Sequence, residues 1–127
     1  MAKILIVEDN ALNIKLFCDL LSAHGHEPEA VTDSRLALDA ARNFQPQLVI
    51  TDIQLPHVSG LELIRMLRDD PKLGEVPIMA VTAYSTAGDE ERIRGAGAQA
   101  YVAKPISVMK FVAAVDKLLE SKQPVGR

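Results

Sequence analysis

Three short aliphatic runs constrain this chain more than any other feature. They are Ile-Leu-Ile-Val at residues 4–7, Leu-Val-Ile at 48–50 and Ile-Met-Ala-Val at 78–81. None alternates with polar residues, so each reads as a strand buried on both faces, as parallel sheets require. Weaker strand patterns occupy residues 29–32 and 100–102. Helical periodicity fills the gaps. Leu12, Leu16, Phe17, Leu20 and Leu21 form one apolar stripe, opened by Asn10 as N-cap and closed by Gly25. A second helix is expected over 34–43, ahead of Pro46. A third covers 60–69, with Leu61, Ile64 and Leu67 inward, and Pro71 ends it. A short fourth lies within 88–94. A fifth starts at Ser107 and packs Val108, Phe111, Val112, Val115 and Leu119.

Strand and helix alternate five times. The expected architecture is α/β, a doubly wound (βα)5 five-stranded parallel sheet with right-handed crossovers. Its natural strand order is 2-1-3-4-5, with the switch point between the first and third strands. The 127 residues suffice for one domain over 1–121, followed by a short tail at 122–127. Cys18 is the single cysteine, so no internal disulfide forms. The net charge of -3 offers no footprint for nucleic acid or an anionic membrane. The first apolar run is too short for a signal-peptide core or a membrane span. A cytoplasmic protein is expected.

Open α/β sheets bind ligands at the carboxyl ends of their strands. Here the first strand runs into Glu8-Asp9, the third into Asp52 and the fourth into Thr82, and Lys104-Pro105 follows the fifth. The 2-1-3-4-5 order gathers three carboxylates, a hydroxyl and an ammonium on one rim. Any one of these acids alone reads as a helix cap; the joint pattern points to a site. Clustered carboxylates repel unless compensated, and a divalent cation compensates best. With oxygen ligands alone the ion is hard: Mg²⁺, with Mn²⁺ as substitute. An Asp beside such an ion, facing Lys and Thr, suits phosphoryl transfer to the carboxylate. No G-x-x-x-x-G-K-[ST] or G-x-G-x-x-G motif is present, so another protein, not a nucleotide, is the expected phosphodonor.

At these residues the chain resembles the receiver domain of two-component response regulators, of flavodoxin-like/CheY-like fold. The matching motifs are Val7-Glu8-Asp9-Asn10, Thr51-Asp52-Ile53-Gln54-Leu55-Pro56 with Gly60, Val81-Thr82-Ala83, and Tyr101-Val102-Ala103-Lys104-Pro105. Glu8-Asp9-Asn10 with Asn13, Lys15-Leu16-Phe17, residues 88–94 and Lys104-Pro105-Ile106-Ser107-Val108 resemble small single-domain regulators of the bacterial cell-cycle type. The resemblance implies that Asp52 accepts a phosphoryl group from a phosphohistidine. Asp9, Asp52 and the Gln54 backbone carbonyl would bind Mg²⁺ directly, and Glu8 through water. Lys104 would pair with a phosphoryl oxygen, Thr82 would move to hydrogen-bond it, and Tyr101 would swing inward behind Thr82. The resemblance also implies a cis peptide before Pro105. The partner would be a sensor histidine kinase or a histidine phosphotransfer protein, and the chain a monomer or weak dimer. The fourth helix, fifth strand and fifth helix would form the readout surface, with residues 83–88 absorbing the change.

Glu8-Asp9 replaces the family's commoner Asp-Asp pair, and Tyr84 is a bulky neighbour expected to slow loss of the phosphoryl group. Ile14, beside Cys18 and Ala11, is a candidate docking residue for the phosphodonor's helices. His24, His26 and His57 are not read as a metal set, nor Cys18 as a redox sensor. Arg65, Arg68, Arg92 and Arg94 read as solvated helix faces. Three rivals stand beside the switch. An Asp-nucleophile phosphatase commonly carries a second Asp where Gln54 stands. A flavin carrier would need a phosphate loop where Glu8-Asp9-Asn10 repels one. A phosphorylation-independent adaptor keeping the fold is the remaining alternative. The chain is thus read as a switch, not an enzyme.

Overall fold

A computed structural model describes residues 2–83 and 87–121. In chain order it contains β1 (Lys3–Val7), α1 (Ala11–Ala23), β2 (Glu27–Val31), a 3-10 turn (Ser34–Leu36), α2 (Ala37–Phe44), β3 (Leu48–Asp52), α3 (Gly60–Asp69), β4 (Ile78–Thr82), α4 (Ala87–Ala96), β5 (Ala100–Ala103) and α5 (Val108–Ser121). All four strand pairings are parallel, and the sheet order is β2-β1-β3-β4-β5, as expected from the sequence. β3 and β4 are buried along their whole length, and β1 beyond Lys3. These are the three unbroken aliphatic runs.

Alternation along the strands divides the core in two. Leu5, Val7, Val49, Ile78 and Ala80 face α2, α3 and α4, which contribute Ala37, Ala41, Leu63, Ile64, Leu67 and Ile93. Ile4, Ile6, Leu48, Ile50, Met79, Val81 and Val102 face α1 and α5, which contribute Phe17, Leu21, Phe111, Val115 and Leu118. Phe17 and Phe111 stack with ring centroids 5.1 Å apart, joining α1 to α5 over the sheet. Truncating either to alanine would cost about 3–5 kcal/mol.

Local signals set the helix ends. Asn10 caps α1, its side chain accepting from the Asn13 N–H. Ser59 and Glu62 form a reciprocal capping box at the start of α3. The Lys104–Pro105 peptide bond is cis.

Several expectations need correction. Leu12 is 79% exposed and Leu16 also lies outside, so the buried stripe of α1 is Phe17 and Leu21, flanked by Leu20 and Cys18. Leu12 and Leu16 fall on the side of the helix turned away from Phe17, because successive residues rotate by about 100°. Val108 is exposed at the first turn of α5, and further along that helix Leu118 is buried with Val115. The segment after Asp33 opens as a 3-10 turn before α2 begins at Ala37. Arg68 is no solvated residue. Its guanidinium donates to the carbonyls of Gly74, Val76 and Gly97 and to the Gln99 side chain at 2.6–3.0 Å. Tyr84 and the tail at 122–127 lie outside the described residues, as do residues 85 and 86 of the 83–88 segment.

Candidate phosphoacceptor site

The strand register builds the site. Val7 pairs with Thr51, Asp52 with Val81 and Thr82 with Ala103. Residues just past Val7, at Asp52, at Thr82 and just past Ala103 therefore share the carboxyl edge of the sheet. The Lys104 N–H donates to the Thr82 carbonyl at 2.7 Å, continuing the β4–β5 ladder by one step. That bond seats Lys104 beside Thr82.

Carboxylate oxygens of Glu8, Asp9 and Asp52 lie within 4.8 Å of one another. Glu8 and Asp52 are buried, and Asp9 is exposed. The Lys104 ammonium lies 2.9 Å from Asp52 Oδ2 and 3.4 Å from Glu8 Oε1. Asp52 Oδ1 accepts from the Gln54 N–H at 3.2 Å. Glu8 accepts from the Asn10 N–H at 3.1 Å, and from Asn13 Nδ2 at 3.5 Å. Burial, then the charge of Asp52, pushes the Glu8 carboxyl above its usual range despite help from Asn10 and Lys104. Burial alone would lower the Lys104 ammonium. The Asp52 hydrogen bond and the charges of Asp52 and Glu8 outweigh that and raise it.

Three carboxylates against one ammonium leave a surplus of negative charge among oxygen donors. That donor set fits a hard divalent cation. Among the described residues it is the one group of three or more ligand-type side chains close enough to hold a metal. His24, His26 and His57 form no such group. His26 instead accepts from the Ala2 N–H through Nδ1.

Thr82 is buried on the α3–α4 side of the sheet, the side that Ile78 and Ala80 face in the same strand. It lines a cavity of about 20 Å³ with Ile53, Leu61, Asp89, Arg92 and Ile93. Tyr101 is half-buried against that same core cluster. The two switch candidates thus share one face. Gly60 lies against the backbone of Asp52 and Ile53. A Cβ there would overlap the Asp52 carbonyl oxygen, and the Gly60 N–H closes the loop base by donating to Ile53 O at 2.9 Å.

Sequence reasoning missed Ser34. Its hydroxyl donates to Pro56 O at 2.8 Å and accepts from the Val58 N–H at 3.1 Å, tying the β3–α3 loop to the turn after β2. A serine after Asp33 looks like local turn chemistry, and nothing near it signals a contact more than twenty positions on.

Five strands in this order, with carboxylates and a lysine at their carboxyl ends, define a class. The chain belongs to the response regulator receiver domains of two-component signalling, whose family model matches residues 4–116. It is 50% identical over 116 residues to the polar-differentiation response regulator DivK of Brucella anthropi, covering 91% of this chain and 94% of that one. DivK of Brucella ovis matches to the same extent. The likeness to small cell-cycle-type regulators is thereby borne out. A putative response regulator from Chloroflexus aurantiacus superposes with a TM-score of 0.89 at 27% identity, over 94% of this chain and 98% of that one. The receiver domain of the sensor histidine kinase PA1611 from Pseudomonas aeruginosa has a TM-score of 0.86 at 28% identity, over 94% and 98%. That structure is described with a magnesium ion coordinated in its active site cleft. No helix among the described residues is long and apolar enough to cross a membrane.

Proposed function

We propose that this protein is a single-domain phosphoacceptor switch of a phosphorelay, taking a phosphoryl group from a phosphohistidine onto Asp52. One observation carries the reading: Glu8, Asp9 and Asp52 meet within 4.8 Å, and the Lys104 ammonium lies 2.9 Å from Asp52 and 3.4 Å from Glu8. Asp9, Asp52 and the Gln54 carbonyl would hold Mg²⁺, or Mn²⁺ in its place, with Glu8 acting through water. The bound ion would neutralise charge on the phosphoryl oxygens as they approach. An Asp52 carboxylate oxygen attacks phosphorus as the P–N bond to the donor imidazole breaks. The imidazole leaves with the electron pair and takes up a proton. Lys104 pairs with a phosphoryl oxygen, and Thr82 moves to donate its hydroxyl to another. Tyr101, on the same face, follows into the space Thr82 leaves.

The donor would be a sensor histidine kinase or histidine phosphotransfer protein in the cytoplasm, and the chain a monomer or weak dimer. Leu12 supports docking of the donor's helices beside the site, being almost bare of contacts three residues after Asp9. The half-buried Ile14 is the weaker candidate. For readout, a cleft of about 470 Å³ on α4, β5 and α5 is lined by Glu90, Tyr101, Pro105, Ser107, Lys110 and Ala114 among others. Tyr101 lines that cleft, so its movement changes the surface a partner meets.

Incubation with acetyl phosphate tests this reading. Intact mass should rise by one phosphoryl group with Mg²⁺ and not after chelation, and Asp52→Asn should stay unmodified. Equal labelling of the Asn variant would refute it.

A further inference from the structure

We propose that Ser34 is a positioning residue for the metal and phosphoryl site, acting through the loop between β3 and α3. The inference rests on the phosphoacceptor reading. It starts from a buried hydroxyl on another element: Ser34 is 2% exposed and opens the 3-10 turn after β2. Its Oγ donates to Pro56 O at 2.8 Å and accepts from the Val58 N–H at 3.1 Å. The two groups belong to the residues on either side of His57. One hydroxyl therefore brackets a single residue of the loop.

His57 is where the loop needs bracketing. Its φ is +70°, a left-handed conformation that side chains other than glycine seldom adopt. The side chain itself is exposed, so packing does not hold the residue there. The loop base is closed separately, by the Gly60 N–H donating to Ile53 O at 2.9 Å. Base and tip together leave residues 54–56 little freedom. Within that span sit the Gln54 N–H, which holds Asp52 Oδ1, and the Gln54 carbonyl, an expected metal ligand. Without the Ser34 hydroxyl, His57 relaxes toward negative φ. The Gln54 peptide then shifts away from Asp52.

The test uses the whole chain, with Ser34→Ala and Ser34→Gly, each alone and combined with His57→Gly. Glycine adopts positive φ without strain, so His57→Gly makes the bracket unnecessary. Mg²⁺ affinity is read by calorimetry, and amide hydrogen exchange at Gln54 and Val58 by NMR without metal. Loss of a group supporting a metal site typically weakens binding by about 10-fold or more, and we expect about 3- to 10-fold here because Ser34 acts through backbone. Exchange at Val58 should quicken in both Ser34 variants. His57→Gly alone should bind Mg²⁺ like the wild type, and in the double variants it should restore most of the affinity. A purely structural serine would not be rescued by a glycine at 57. Unchanged affinity in both single variants, or no recovery in the doubles, overturns the proposal. If the wild-type chain takes up no Mg²⁺, the phosphoacceptor reading fails and the link to metal falls with it. Val58 exchange still shows whether the bracket exists.

Discussion

Glu8 is the residue at which electrostatics and chemistry pull in opposite directions. Its buried carboxyl is held above its ordinary 4.5 by burial and by Asp52. The folded chain thus holds that proton more tightly than the unfolded chain does. Glu8's contribution to stability is complete below 4.5 and is lost as pH rises through its raised value. A divalent cation needs the deprotonated form, so protons and Mg²⁺ compete for one pocket. Mg²⁺ affinity should fall as pH drops below the raised Glu8 value, by up to about tenfold per unit. Calorimetry over a pH series descending from neutrality checks this, and Glu8→Gln should flatten the dependence. Asp70 has the opposite sign. The Arg42 hydrogen bond, 2.7 Å long, and the Lys72 N–H hold its carboxyl below 3.8. Its stabilising contribution is present above 3.8 and is lost as pH falls through the lowered value. Acid should therefore weaken the metal site before it loosens the α2–α3 contact.

At the scale of elements, two helices behave differently from what their residue patterns suggest. α1 keeps a leucine almost bare beside the site, and an exposed leucine contributes little to the fold. Leu12→Lys should leave stability within about 0.5 kcal/mol of wild type. It should slow phosphoryl transfer from a phosphohistidine protein and leave labelling by acetyl phosphate unchanged; equal slowing with both donors would remove Leu12 from the docking surface. Arg68 lies in the last turn of α3, and its N–H groups reach the α3–β4 connection and the α4–β5 turn. The Gln99 side chain that Arg68 binds also accepts from the Ile78 N–H at 2.8 Å. One guanidinium therefore fastens the entry to β4 and the exit of α4. Arg68→Met leaves those carbonyls short of donors and should cost about 1–3 kcal/mol, measured by urea unfolding. Arg68→Lys should recover only part, because an ammonium lacks the planar fork.

At the scale of the whole molecule, sheet and site were legible in the sequence for one reason. Residues 4–7, 48–50 and 78–81 can be satisfied only between two helical layers, and the acidic residues stand where those runs end. Strand order then brings Glu8, Asp9, Asp52 and Lys104 together, as expected. What escaped reading depends on direction or distance. Leu12 and Leu16 share spacing with buried neighbours and differ in azimuth. Arg68 looks like any charged residue on a helix until the α3–β4 and α4–β5 turns fold over it. Ser34 looks like a cap residue because its partners lie at 56 and 58. Non-local hydrogen bonds leave no periodic trace.

The central claim is a covalent bond at one carboxylate. Borohydride reduction of the acetyl-phosphate-treated protein, followed by peptide mass mapping, tests it most directly. An aspartyl-phosphate is reduced to homoserine, so the account predicts homoserine at position 52 alone, and only when Mg²⁺ was present. An unreduced Asp52, or label retained on a histidine or a serine instead, would contradict it.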